Sequence, residues 1–154
     1  MIQILHATSQ EQIGFVRELF VEYAKSLNVS LCFENLDKEL SELPGVYAPP
    51  DGSLLLAADG TRIAGCVALK KIDGHMCEMK RLFVRPEYRG RGIGRELTVM
   101  IGKEARDIGY QRMRLDTLPS MKEAIALYRL LGFVEIPAYR DLPVPGTLFM
   151  QRTL

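Results

Sequence analysis

The chain is 154 residues long, 47% hydrophobic and 25% charged, with 20 basic against 19 acidic residues and a net charge of +1. That length predicts one domain over residues 1–154 whose core needs no staples, and the composition excludes collagen, coiled coil and intrinsic disorder. Balanced charge gives no global pull toward nucleic acid or anionic membrane, and the longest apolar run, Leu54 to Ala58, falls far short of the ~18 residues of a membrane span.

The N-terminal run MIQILHATSQEQ lacks the basic and apolar regions of a secretory signal. With three cysteines (Cys32, Cys66 and Cys77), an odd count that forms no disulfide framework, it points to reduced thiols in the cytoplasm. Ile2 to His6 is a strand candidate. Thr8 and Ser9, followed three residues later by Glu11 and Gln12, offer capping boxes, and apolar residues at 13, 16, 20, 23 and 27 keep one helical face. A second helix is expected from Glu34 to Leu43, then a loop carrying Pro44, Gly45, Pro49, Pro50 and Gly52. Ser53–Ala58, Ile63–Ile72 and Met76–Val84 read as strands. The hairpin pairs Asp59-Gly60 and Asp73-Gly74 join them, predicting an antiparallel meander.

A helix from Gly92 to Ile108 follows, with Gly109 suited to its C-terminal cap. Gln111 to Thr117 is a strand with Met113, Leu115 and Thr117 on one face. Strand, helix and strand imply a right-handed crossover to a parallel neighbour. Ser120 and Glu123 form a capping box for a helix that stops at Gly132, and Phe133–Ile136 and Thr147–Arg152 are final strands around a proline-rich loop. The expected fold class is α/β: a mixed sheet of about six to seven strands, antiparallel first and parallel in the middle, flanked by about four helices.

Charge is uneven along this chain. Between Lys80 and Arg95 lie six basic residues and one acid, Glu87; between Glu34 and Asp59 lie six acids and one base, Lys38. The acidic stretch reads as a solvated face. The basic stretch brackets the cluster Arg89-Gly90-Arg91-Gly92-Ile93-Gly94-Arg95. Alternate glycines let backbone amides converge, a helix starting there adds unpaired amides and a positive dipole end, and Arg89, Arg91 and Arg95 add full charges. A diphosphate suits such a loop. The spacing is GxGxG, several residues after the strand, with Arg95 where a dinucleotide fold places its last glycine. Asp116 falls near the position of a ribose-binding acid, so the dinucleotide likeness is partial. No GxxxxGK[ST] loop is present.

The run from Leu82 to Gly94 resembles the acyl-CoA signature of the GNAT superfamily of N-acetyltransferases, [QR]-x-x-G-x-[GA], carried here by Arg89, Gly92 and Gly94. Ala124-Ile125-Ala126-Leu127-Tyr128-Arg129-Leu130-Leu131-Gly132-Phe133 resembles the later helix motif of that family, and the element order also fits. The resemblance implies acetyl-CoA as co-substrate, with the amides from Arg89 to Arg95 on its diphosphate and the backbone of Leu82, Phe83 and Val84 pairing with pantetheine between two splayed strands. Tyr128, a core tyrosine by spacing alone, then faces the thioester sulfur and protonates the leaving thiolate; a phenol of pKa about 10 is protonated at neutral pH. Glu78 lies where some members carry a general base, and reads equally as a strand residue paired with Lys80 or Arg81. Alternation places Glu78, Lys80, Leu82 and Val84 on one face. Met121 stands where many members have asparagine; Ser120 either replaces its cofactor contact or caps the helix, the cap being preferred. Tyr139 and Arg140 are acceptor-pocket candidates, with Arg140 able to grip a carboxylate, or belong to a solvated turn.

His75, Cys77 and Cys66 make a poor metal set, so no metal is expected, and a cysteine nucleophile lacks a paired base. The expected function is acetyl transfer from acetyl-CoA to a primary amine by direct attack in a ternary complex, a small metabolite being favoured over a peptide or protein. No nucleic acid or membrane partner is expected, and a homodimer is left open. The alternative is a non-catalytic acyl-CoA sensor or interaction module.

Overall fold

In the computed structural model, which describes residues 1–27, 36–142 and 144–154, strand β1 (Ile2–His6) leads into helix α1 (Gln10–Leu27) through a reciprocal cap. Ser9 Oγ accepts from the Gln12 amide at 3.1 Å, and Gln12 Oε1 accepts from the Ser9 and Thr8 amides at 3.1 and 3.0 Å. These bonds satisfy donors the helix cannot pair itself. Ile13, Val16, Leu19 and Phe20 form its buried stripe. Helix α2 covers Leu36–Glu42; Cys32 and the expected helix start at Glu34 lie outside the described residues.

Strands β2 (Ser53–Asp59), β3 (Arg62–Lys71) and β4 (Met76–Val84) form the expected antiparallel meander. Helix α3 (Ile93–Ile108) carries the chain to β5 (Arg112–Thr117), and helix α4 (Lys122–Leu130) precedes β6 (Val134–Ile136) and β7 (Leu148–Thr153). The sheet order is β1-β2-β3-β4-β5-β7-β6, with β4–β5 the parallel pair. Leu97, Ile101 and Ala105 of α3, with Tyr128 of α4, pack on one face against Val67, Leu69, Met113 and Leu115. The α1 stripe covers the other face against Leu54, Leu56, Cys66 and Ala68.

Two irregularities shape the middle of the sheet. The β4–β5 ladder runs only from Met76 opposite Arg112 to Glu78 opposite Arg114. Beyond it the strands part around a slit of about 40 Å³ lined by Met79, Leu82, Leu115, Thr117 and Tyr128. The second is a bulge in β4. Cys66 and Ala68, two apart on β3, face Phe83 and Lys80, three apart on β4, and Arg81 takes a left-handed φ of 59°. That conformation costs a side-chain-bearing residue about 1–2 kcal/mol. The Arg81 guanidinium grips Glu39 of α2 through two bonds of 3.1 Å, a bidentate charge-assisted pair that holds it there.

The bulge overturns the expected shared face of Glu78, Lys80, Leu82 and Val84. Upstream, Cys77 and Met79 point into the α3 core; downstream, Phe83 joins the α1 core while Leu82 and Val84 pack on the α3 side. One extra residue exchanges the two faces within a single strand. The expected Ser120–Glu123 cap is also absent. Helix α4 begins at Lys122, Met121 occupies the cap position and no side chain caps the helix. Ser120 therefore stands one residue too early, in a turn closed by the Met121 amide on the Leu118 carbonyl at 3.0 Å.

Candidate functional site

The glycine run builds one wall of a cleft of about 590 Å³. Gly90 and Gly92 have φ of 80° and 77°, which residues with Cβ rarely adopt, and this geometry turns the chain into α3. Gly92 sits at the helix cap position, and no side chain caps the first turn, so its amides remain available to an outside acceptor. Arg89, Gly90, Gly92, Ile93 and Gly94 line this cleft, with Leu82, Phe83 and Val84 along one side and Ser120 on the α4 side. Arg91 and Arg95 do not line it and are exposed. The Arg91 guanidinium lies 5.2 Å from the Tyr88 ring centre. Arg89 Nε donates to the Val84 carbonyl at 3.0 Å, and its guanidinium lies 5.8 Å from the Phe83 ring centre.

Half of the basic stretch is spent within the chain. Arg81 holds Glu39, Arg85 holds Glu22 at 3.0 and 2.7 Å, and Lys80 lies 3.5 Å from Asp116. The acidic stretch is likewise more than a solvated face: besides Glu39, Asp59 accepts from the Tyr88 hydroxyl at 3.1 Å. Positive potential in this cleft therefore comes from Arg89 and the α3 amides rather than from a run of free arginines.

Tyr128 projects from α4 to the slit between β4 and β5. Its ring meets Phe133 edge-on at 5.7 Å, and its hydroxyl makes no hydrogen bond among the described residues. Burial pushes this phenol well above its ordinary 10.0, with smaller contributions from Tyr23 and Asp116. Tyr23 of α1 lines the cofactor-sized cleft, the slit and a third space beyond it. In the sequence it falls on the apolar stripe of α1 and reads as core, which conceals its place at the junction.

The third space is a cleft of about 580 Å³ on the α1–α2 face, lined by charged groups including Lys70, Lys80, Asp116 and Arg140. Glu78 does not line it; it is fully buried and pairs with residues that do. Its Oε2 accepts from the Tyr139 hydroxyl at 2.6 Å and from Arg140. Its Oε1 lies 3.9 Å from both Lys70 Nζ and Lys80 Nζ. Glu78 is thus charge-paired, with Lys80 as one expected partner; the other, Arg81, turns to Glu39 instead. The carboxylate that Arg140 grips is the chain's own. Burial, reinforced by the Glu78 charge and hydrogen bond, pushes the Tyr139 phenol above its ordinary 10.0. Tyr139 is fixed edge-on to Phe149 at 5.0 Å and covered by the Arg114 guanidinium at 4.8 Å. Asp116 joins this cleft to the slit. The sequence shows it as an outward strand residue near the position of a ribose-binding acid, and not at this junction, because its place there depends on the strands parting.

Cys66 and Cys77 are buried. Burial pushes both thiols up, Cys77 to about 12, which keeps them protonated and poorly nucleophilic. Among the described residues no group of three or more His, Cys, Asp or Glu could hold a metal ion, and no helix is long and apolar enough to cross a membrane.

Residues 15–133 match the profile described as "Acetyltransferase (GNAT) family". An uncharacterized N-acetyltransferase of Schizosaccharomyces pombe is 40% identical over 136 residues, covering 86% of this chain and 83% of its own. Among solved structures, a GNAT-family acetyltransferase from Staphylococcus aureus superposes with a TM-score of 0.84 at 22% identity over 99% of both chains. PaiA N-acetyltransferase from Thermoplasma acidophilum, in complex with coenzyme A, gives 0.79 at 22% identity over 100% of this chain and 99% of its own.

Proposed function

The chain belongs to the acetyltransferase (GNAT) family, and we propose that it acts as a single domain moving the acetyl group of acetyl-CoA to a small primary amine in a ternary complex. The observation that carries this reading is the pair of clefts, of about 590 and 580 Å³, that meet at the slit beneath Tyr128. A thioester entering from one and an amine from the other come together there without a covalent enzyme intermediate. The coenzyme A bound to the similar Thermoplasma protein supports the choice of co-substrate.

The chain's own residues divide the work. The amides between Gly90 and Arg95 hold the diphosphate, with Arg89 beside them. The segment Leu82, Phe83 and Val84, unpaired by β5 and with its Val84 carbonyl already bonded by Arg89, offers backbone groups to the amides of pantetheine. Ser120 borders the same cleft and contacts the cofactor. Arg91 and Arg95 attract the polyanion from outside the cleft. Tyr128, held protonated by its burial, donates to the sulfur as the C–S bond breaks. Glu78 orders Lys70, Lys80 and Arg140 into the wall of the acceptor cleft, with Tyr139 bonded to the same carboxylate behind that wall.

Calorimetric titration with acetyl-CoA, with NAD and ATP as controls, tests this reading. Saturable binding of acetyl-CoA alone, followed by coenzyme A release with at least one member of a primary-amine panel, is expected. Tighter binding of NAD would overturn the assignment of the glycine loop. Binding without release across the panel would leave the chain a non-catalytic acyl-CoA binder.

A further inference from the structure

We propose that Asp116 receives the acceptor's ammonium and takes its proton, an inference that rests on the amine acetyltransferase reading above. Three observations select it. Among the described carboxylates lining the acceptor cleft, Asp116 is the one that also lines the slit beneath Tyr128; Glu39, Glu42 and Asp141 do not reach the slit. Its Oδ2 is buried and has no hydrogen-bond partner. The nearest cation to that oxygen is Lys80 Nζ at 3.5 Å, itself a primary ammonium. The chain's own lysine thus sets a primary ammonium beside this carboxylate, which retains lone pairs for a second donor.

Glu78 is less suited to this task. Its Oε1 also lacks a hydrogen-bond partner, but its side chain is 0% exposed against 20% for Asp116. Tyr139 and Arg140 occupy Oε2, and two lysines flank Oε1. An amine reaches Glu78 only by displacing part of that cover. Asp116 borders both the open cleft and the slit.

The step balances as follows. The ammonium gives one proton to the Asp116 carboxylate, directly or through one water, and the freed lone pair forms the C–N bond at the thioester carbon. When the C–S bond breaks, sulfur leaves with the electron pair and receives a proton by way of Tyr128. The nitrogen loses its second proton in the same collapse, restoring the phenol. Asp116 then releases its proton through the cleft to solvent.

The test uses the full chain and the panel amine with the highest turnover, among amino acids, polyamines and arylalkylamines. D116N keeps the side chain's shape and removes the base. Its kcat/KM for the amine is expected to fall ~100-fold near pH 7. The deficit should shrink as pH rises toward the amine's own pKa, where free amine needs no base. Acetyl-CoA affinity by calorimetry should match the parent. D116A should regain part of its turnover on addition of formate, which a purely structural role would not produce. E78Q should keep a pH profile parallel to the parent's. D116N within threefold of the parent, with the parent's pH profile, overturns this inference alone. A parent that transfers to no amine overturns the underlying reading and this inference with it. An E78Q profile shifted as described for D116N assigns the proton to Glu78 and overturns the proposal.

Discussion

Tyr128→Phe separates the hydroxyl's chemistry from its packing. The ring is wedged against Phe133 at 5.7 Å and is 5% exposed, while the hydroxyl has no hydrogen-bond partner among the described residues. Removing the oxygen therefore breaks no protein hydrogen bond. Phenylalanine keeps the edge-on contact. Folding stability should change by less than ~1 kcal/mol, within about 2–4 °C of melting temperature for a chain of this size. In the proposed transfer the same hydroxyl faces developing negative charge on sulfur in a site screened from water. Losing one such donor costs about 10²–10³ in rate, or about 2.7–4 kcal/mol. Steady-state release of coenzyme A should thus show kcat down by roughly that factor, with acetyl-CoA affinity near the parent value and an unchanged thermal melt. A kcat within threefold of the parent would refute the role of the hydroxyl. A melt lowered by much more than 4 °C would refute the claim that it is unpartnered.

Gly65 tests the close approach of β3 to the end of β4: a Cβ there would lie 2.5 Å from the Phe83 carbonyl oxygen and 3.3 Å from Val84 Cα. Gly65→Ala should cost about 1–3 kcal/mol by urea denaturation and weaken acetyl-CoA binding as Phe83 and Val84 shift; parental values for both would sink the argument. Alkaline stability offers a separate check. Folding moves Cys77 from 9.0 to about 12 and Tyr110 from 10.0 to about 12, burial being the main cause of both. The folded state holds these protons while the unfolded chain loses them, so the stability these two groups contribute should fall as pH rises from about 9 and be spent near 12. Cys77→Ala and Tyr110→Phe should each flatten that decline in denaturant midpoints.

What the sequence reveals follows the range of the forces involved. Ser9 and Gln12 are close enough to settle their own cap, and the Asp-Gly pairs settle the hairpins; both are legible from neighbouring residues. The glycine loop is legible because only glycine tolerates its left-handed positions cheaply. Ser120 and Glu123 have the same spacing as a true cap, yet Pro119 and the turn from Leu118 delay the helix by one residue, an outcome no local pattern records. The Arg81 bulge is harder still. An arginine at φ of 59° leaves no local signature, since the carboxylate that holds it lies 42 positions away on another helix. That one residue decides which side of the sheet Leu82 and Val84 occupy. Tyr23 and Asp116 reach the junction of the clefts only because β4 and β5 stop pairing after Glu78 and Arg114.

The exchange of faces at Arg81 makes β4 two strands in one. Before it, Glu78 and Lys80 address the α1–α2 side, where Lys80 lines the charged cleft; after it, Leu82 and Val84 address the glycine-loop side. Substitutions upstream can therefore retune what the charged cleft accepts while leaving the downstream wall untouched. The Arg81–Glu39 clasp is the boundary between the two halves. Such a strand can diversify at one end under a fixed demand at the other, and the clasp, rather than either set of lining residues, is where the two demands are bound to each other.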